Sequence, residues 1–157
     1  MAACFQQIFP LPAAGPVAVT VNGLPLFPPY NNNGELTWPT CEMDGCNAHV
    51  GQGYDYHYHG DPFGSNCMYD TKDYAFPAVH PPIIGFSLDG FEIYGRYLSE
   101  AAEGYSIPLD ICGGHRHGSY GYHYHSQVRK FNATRTSFGL VAGQSYTGYV
   151  SGPYQCK

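Results

Sequence analysis

The chain has 157 residues, a formal net charge of −5 and only seven lysines and arginines. It has no basic patch, which argues against nucleic acid as a partner. No apolar run approaches the length of a membrane span. Charged residues are 12% and aromatics 16%, with 15 Tyr and a single Trp. That aromatic content supplies surface to bury, and argues against disorder. Twenty Gly and 13 Pro point to turns and short strands.

The first stretch, "MAACFQQIFPLPAAGP", lacks a charged n-region and is not an obvious signal peptide. "VAVTVNGLPLF" follows, two apolar runs around Asn22-Gly23. Asn-Gly in that setting predicts a hairpin with a type I′ turn, which needs φ > 0 at both central positions. Next comes "DGCNAHVGQGYDYHYHGDP", and then loop material through "GDPFGSNCMYD". The linker "TKDYAFPAVHPP" is short and aromatic rather than Gly/Ser-rich, so it does not read as a tether between separate lobes. The pattern then starts again. "IIGFSLDGFEIY" predicts a second hairpin at Asp89-Gly90, and "RYLSEAAEG" has room for one helical turn. "LDICGGHRHGSYGYHYHSQV" closes the second copy, and "SQVRKFNATRTSFG" reads as loop.

Laid over each other, the two copies match without a gap. Cys46 falls on Cys112, His49 on His115, and Tyr56-His57-Tyr58-His59 on Tyr122-His123-Tyr124-His125, all at a shift of 66 (112 − 46, 123 − 57). Asp44 and Asp110 stand two residues before the matched cysteines. The hairpins match at a shift of 67 (89 − 22). The expected architecture is all-β, loop-rich and poor in helix. It is one pseudo-twofold domain from two units, about 16–67 and 82–140, packed on each other because neither half buries its apolar face alone.

In a strand, residues i and i+2 face the same way. His57 and His59 therefore share one face, as do His123 and His125, and each pair is spaced to hold one metal ion. His49 and His115 are the expected third ligands. His117, which stands where the first copy has Gly51, and His80 are further candidates. Imidazole suits zinc and copper, whereas no EF-hand-like spacing supports calcium. Asp44 and Asp110 have two readings: carboxylates that orient a ligating imidazole, or caps of a turn. The tyrosines of the YHYH strands are expected to pack the core and hydrogen-bond through their hydroxyls.

Six cysteines in a chain of this size suggest three disulfides. Asn132-Ala133-Thr134 is an N-glycosylation sequon. Both features point outside the cell, and no CxxC motif suggests thiolate metal binding.

The residues "NGLPLF", "CNAH", "YDYHYHGDP", "PIIGFSLDGFEIYGR", "LDICGGH" and "YGYHYH" resemble those of the YHYH-domain proteins, named for this tetrapeptide. The resemblance covers most of the chain. It implies an extracellular or surface domain in which the histidine motifs matter, and supplies no reaction. Met43-Asp44-Gly45-Cys46 and Ile111 depart from the commoner acidic "LDEC" form. The repeat also orders the cysteines: each copy has one before its first His and one after its YHYH. That gives Cys46–Cys67 and Cys112–Cys156, leaving Cys4–Cys41.

Three functions follow. The first is a non-catalytic module with His-cluster metal sites, structural or a building block of a surface or filamentous assembly. Low charge and many tyrosines suit self-association or contacts with other surface proteins. The second is a zinc or copper enzyme, hydrolytic or redox, with water on a three-His site. No HExxH or nucleophile motif supports it, which leans the expectation away from catalysis. The third is a metal-free ligand-binding module stapled by disulfides.

Overall fold

The computed structural model describes residues 15–35, 37, 42–74, 80–110, 112–132 and 145–150. Eight short strands form one sheet: β1 (Ala18–Thr20), β2 (Pro25–Leu26), β3 (Ala48–Val50), β4 (Tyr56–Tyr58), β5 (Ile83–Ser87), β6 (Glu92–Tyr94), β7 (Gly114–His117) and β8 (Tyr120–His125). Their order is β3-β4-β2-β1-β5-β6-β8-β7. The pairing reads the same outward from the β1–β5 seam. Each half has an antiparallel hairpin (β1–β2, β5–β6), then a parallel pair (β2–β4, β6–β8), then an outer antiparallel hairpin (β3–β4, β7–β8). The seam is antiparallel, with Val19 opposite Phe86, and extends through Val21 N–H to the Ile84 carbonyl and Leu88 N–H to the Val17 carbonyl.

Both inner hairpins turn where Asn22-Gly23 and Asp89-Gly90 predict, but the turn type differs from expectation. Gly23 N–H donates to the Thr20 carbonyl and Gly90 N–H to the Ser87 carbonyl. Only the glycines are left-handed, at φ 83° and 91°. These are three-residue loops, an ordinary turn followed by one left-handed residue, rather than two-residue type I′ loops. The extra residue, Val21 or Leu88, relieves Asn22 and Asp89 of positive φ.

The core lies on one face of the sheet. Ala18, Leu26, Ala48, Tyr58, Ile84, Ile93 and Tyr124 form it, with Tyr69 from the loop after β4. Tyr58 and Tyr124 contribute rings to the core and hydroxyls to its rim. The Tyr58 hydroxyl accepts from Asn22 Nδ2, and the Tyr124 hydroxyl donates to Asp89 Oδ2. Asn22 and Asp89 thus brace matching tyrosines.

A buried ion pair crosses the two halves. Arg96 bonds Asp61 Oδ2 through both Nε and Nη2 at 2.5 Å. The Tyr69 hydroxyl donates to the other Asp61 oxygen, and the guanidinium lies 4.0 Å over the Phe63 ring. Asp61 is fully buried, so its charge depends on that pairing.

Cys46 and Cys67 are joined, as the repeat implies. Cys112 also lies in a disulfide. Its expected partner Cys156, and the expected Cys4–Cys41 pair, lie outside the described residues. The expected helical turn in "RYLSEAAEG" is a run of hydrogen-bonded turns, with Ala102 N–H to the Ser99 carbonyl and Tyr105 N–H to the Ala102 carbonyl. The one helical segment among the described residues is a 3₁₀ turn at Thr71–Asp73, capped by Asp70. Gln127–Asn132, read as loop, is instead a strand (β9). It pairs antiparallel with β10 (Ser145–Val150) in a separate two-stranded sheet. The polar residues of "QVRKFN" hide its alternation, and its partner is supplied from a distance by "SYTGYV". Asn132 ends β9, while the rest of its sequon lies outside the described residues.

Candidate metal centres

The face of β3–β4 and β7–β8 opposite the core carries the histidines. In the outer hairpins His49 stands directly across from His57, and His115 across from His123. Each hairpin thus delivers its upstream histidine onto the HxH of its own second strand.

In cluster one, His57 Nε2 lies 3.1 Å from His49 Nε2 and 3.0 Å from His59 Nε2. The other ring nitrogens fix the tautomers. His57 Nδ1 is 3.0 Å from the Asp55 carbonyl, and His59 Nδ1 is 2.6 Å from the Pro28 carbonyl. A carbonyl only accepts, so both Nδ1 atoms carry the proton and both Nε2 atoms present bare lone pairs. Two such lone pairs at 3.0 Å repel unless a cation lies between them. Nitrogens bound at about 2.0–2.1 Å in a tetrahedral arrangement stand about 3.3 Å apart, close to what the cluster holds. The Phe27 ring packs 4.4 Å from that of His57 and restrains it.

Cluster two is larger. His80, His117, His123 and His125 bring ligand nitrogens together, as His49, His57 and His59 do in cluster one. His123 Nε2 is 3.0 Å from His125 Nε2 and 3.3 Å from His80 Nε2. Carbonyls of Pro81, Gly121 and Gly95 accept from the Nδ1 atoms of His80, His123 and His125. The acceptors for His59 and His125, Pro28 and Gly95, both follow the second strand of an inner hairpin. His115 bonds the Ile107 carbonyl through Nδ1, and its Nε2 lies 3.2 Å from the Tyr97 hydroxyl. Seven of the eight histidines of the chain fall in the two groups, and His115 packs beside cluster two, its ring 5.0 Å from those of His123 and His125.

Burial favours the neutral imidazole, which is the form that binds metal. It lowers His59 and His80 to about 4 and His125 to about 2. His49, His115 and His123 are lowered in the same way. Burial, then Glu103 and Tyr120, raise the Tyr97 phenol, so a phenolate there requires a cation.

The surroundings of the clusters differ. Cluster one opens into a cleft of about 450 Å³ lined by Tyr30, Asn31, Glu42, Gln52, Asp55 and others. Around cluster two pack Tyr97, the ring of Tyr120 stacked 3.9 Å from that of His80, and the buried His117 ring.

Asp44 and Asp110 bond the turn, not an imidazole. Asp44 Oδ1 accepts from the backbone of Cys46 and Ala48, and Asp110 Oδ1 from that of Cys112 and Gly114. Their other oxygens accept from the Tyr56 and Tyr122 hydroxyls. Sequence reasoning missed Tyr97. Its signal was its register with Tyr30, at the hairpin shift of 67 (97 − 30), hidden among 15 tyrosines.

Neither the curated proteins nor the solved structures include a match to the chain. The YHYH protein family matches residues 5–107, a span that holds His49, His57, His59, His80 and Tyr97. With the match covering well over half its length, the chain belongs to the YHYH protein family.

Proposed function

We propose that this is an extracellular module that binds transition metal ions, zinc or copper, in its two histidine clusters, chiefly as structural centres. The observation that carries this is the convergence of Nε2 lone pairs at 3.0–3.3 Å whose Nδ1 protons are committed to carbonyls. No arrangement of neutral imidazole protons satisfies those contacts, and a bound cation does. A disulfide and the lack of a membrane-crossing helix among the described residues are compatible with an extracellular place. The mirrored strand pairing supports a single domain of two matching units, about 16–67 and 82–140. Val19, Val21, Phe86 and Leu88 stay 46–66% exposed on and beside the seam, which suits a building block that associates with itself or with other surface proteins.

The test is metal per chain in natively purified protein, repeated on His57→Ala/His59→Ala and His123→Ala/His125→Ala. Two equivalents, falling by one in each variant, are expected. A metal-free protein whose melting is unchanged by strong chelator would overturn the proposal in favour of a disulfide-held binding module.

A second reading rests on the cleft. A three-His ion with a free position facing a polar cleft is the arrangement that activates water for hydrolysis. Catalysis of that kind would be lost in His57→Ala/His59→Ala and kept when only cluster two is altered.

A further inference from the structure

The Tyr97 hydroxyl stands 3.2 Å from His115 Nε2, 3.2 Å from His117 Nε2 and 3.0 Å from His125 Nε2. His115 and His125 have given their Nδ1 protons to the carbonyls of Ile107 and Gly95, at 2.7 and 2.9 Å. Their Nε2 atoms can only accept. The phenol has one proton and satisfies one of them. His117 can donate from Nε2 to the phenol oxygen, and its buried Nδ1 has no hydrogen-bond partner among the described groups, with Glu103 Oε1 4.0 Å away. Even so, one imidazole lone pair still faces the phenol oxygen with no proton between. Three nitrogens around one oxygen at 3.0–3.2 Å are a poor hydrogen-bond cluster and a good ligand set.

We infer that Tyr97 is itself a metal ligand at cluster two, adding its oxygen beside the Nε2 atoms of His115, His117 and His125 that surround it. The inference rests on the metal-binding reading above. On binding, the phenol proton leaves to solvent and the phenolate oxygen takes its place on the ion, with no change of oxidation state. An anionic oxygen donor makes the set harder than imidazoles alone and favours an oxidised ion such as Cu(II) over Cu(I). Cluster one differs in this position: Tyr30 stands at the matching place in sequence and lines the cleft.

The experiment is titration of Cu(II) into the chelator-stripped full chain, followed by visible absorption. A phenolate on Cu(II) gives an intense charge-transfer band that imidazole ligation alone does not. The band is expected in the wild type and in His57→Ala/His59→Ala. It should be absent in Tyr97→Phe, whose second equivalent should bind at least tenfold more weakly. Resonance Raman on the wild type, with and without ring-deuterated tyrosine, reports tyrosinate modes without any variant, so the test survives if Tyr97→Phe does not fold. Two equivalents bound with no band and no tyrosinate modes would overturn the Tyr97 assignment and leave the two-site reading standing. Failure of cluster two to take up copper at all would overturn both.

Discussion

The two histidine clusters are built on one plan and finished differently. In each, an outer hairpin sets an upstream histidine across from the first His of YHYH, and a carbonyl after the inner hairpin orients the second. The differences lie in what fills the remaining space. Cluster one has Gly51 where cluster two has His117, and it opens into a cleft. Cluster two gathers His80 and Tyr97 as well. Equal strand geometry thus places one group beside an open cleft and surrounds the other with further aromatic rings.

The largest test of that contrast is which site the fold depends on. His125 and His123 are 0% and 1% exposed, so a cation there has no easy exit. An ion at a thousandfold excess over its Kd stabilises by about 4 kcal/mol, and each lost imidazole hydrogen bond costs about 1 kcal/mol more. Both double variants lose an ion and two imidazoles, so the difference rests on the deeper burial of His123 and His125. His123→Ala/His125→Ala is expected to lower Tm by on the order of 3 °C more than His57→Ala/His59→Ala. Equal losses in thermal unfolding would erase the distinction between the sites.

The next effect breaks the link between them. Asp61 lies two residues after His59, and Arg96 lies directly before Tyr97, so their ion pair ties a segment of each site to the other. Arg96→Ala leaves a buried, unpaired carboxylate, at a cost of about 3–5 kcal/mol. Denaturant unfolding is the measurement. Because the loss is shared, metal at both clusters should weaken together. Weakening of one site alone would show that the pair supports only that site.

Acid separates the clusters without mutation. For His59 and His125 the folded pKa lies below the ordinary 6.5, so the unfolded chain takes up the proton first. Their contribution is full above pH 6.5 and is lost as pH falls, towards about 4 for His59 and about 2 for His125. In chelator-stripped protein, His59→Gln should flatten the fall in unfolding free energy between pH 6.5 and 4, by about 2 kcal/mol. His125→Gln should flatten a fall that continues below pH 4. An unchanged slope in both variants would mean that these imidazoles take up a proton in the fold as readily as in the unfolded chain.

Much of this was legible in the sequence because it is local. Both inner hairpins, the facing of His57 with His59, and the core role of Tyr58 and Tyr124 follow from local spacing, while the Cys46–Cys67 bridge follows from laying one half of the chain over the other. What escaped is long-range. Nothing near Asp61 announces Arg96, which lies 35 residues on. Tyr97 reaches His115, His117 and His125 only because the β6–β8 pairing brings them together. The turn type was misread because Asn-Gly fits two loops, and only the count of residues between paired strands decides between them.

The smallest effect sharpens the comparison at Gly51, which stands where the other hairpin has His117. A Cβ on Gly51 would lie 2.8 Å from His57 Cε1 and 3.0 Å from Asp55 Oδ1. The glycine is what lets the His57 ring lie against the β3 end of the turn, where it meets His49 and His59. In cluster two the matching residue, His117, turns its own ring inward as a ligand candidate. Gly51→Ala must push the His57 ring or the Asp55 side chain aside, at about 1–2 kcal/mol of crowding. Because that displacement acts on ligand placement, it should appear as roughly tenfold weaker metal binding at cluster one, with cluster two untouched, in site-resolved titration. Unchanged affinity at cluster one would mean that His57 has room to move and that Gly51 serves only the turn.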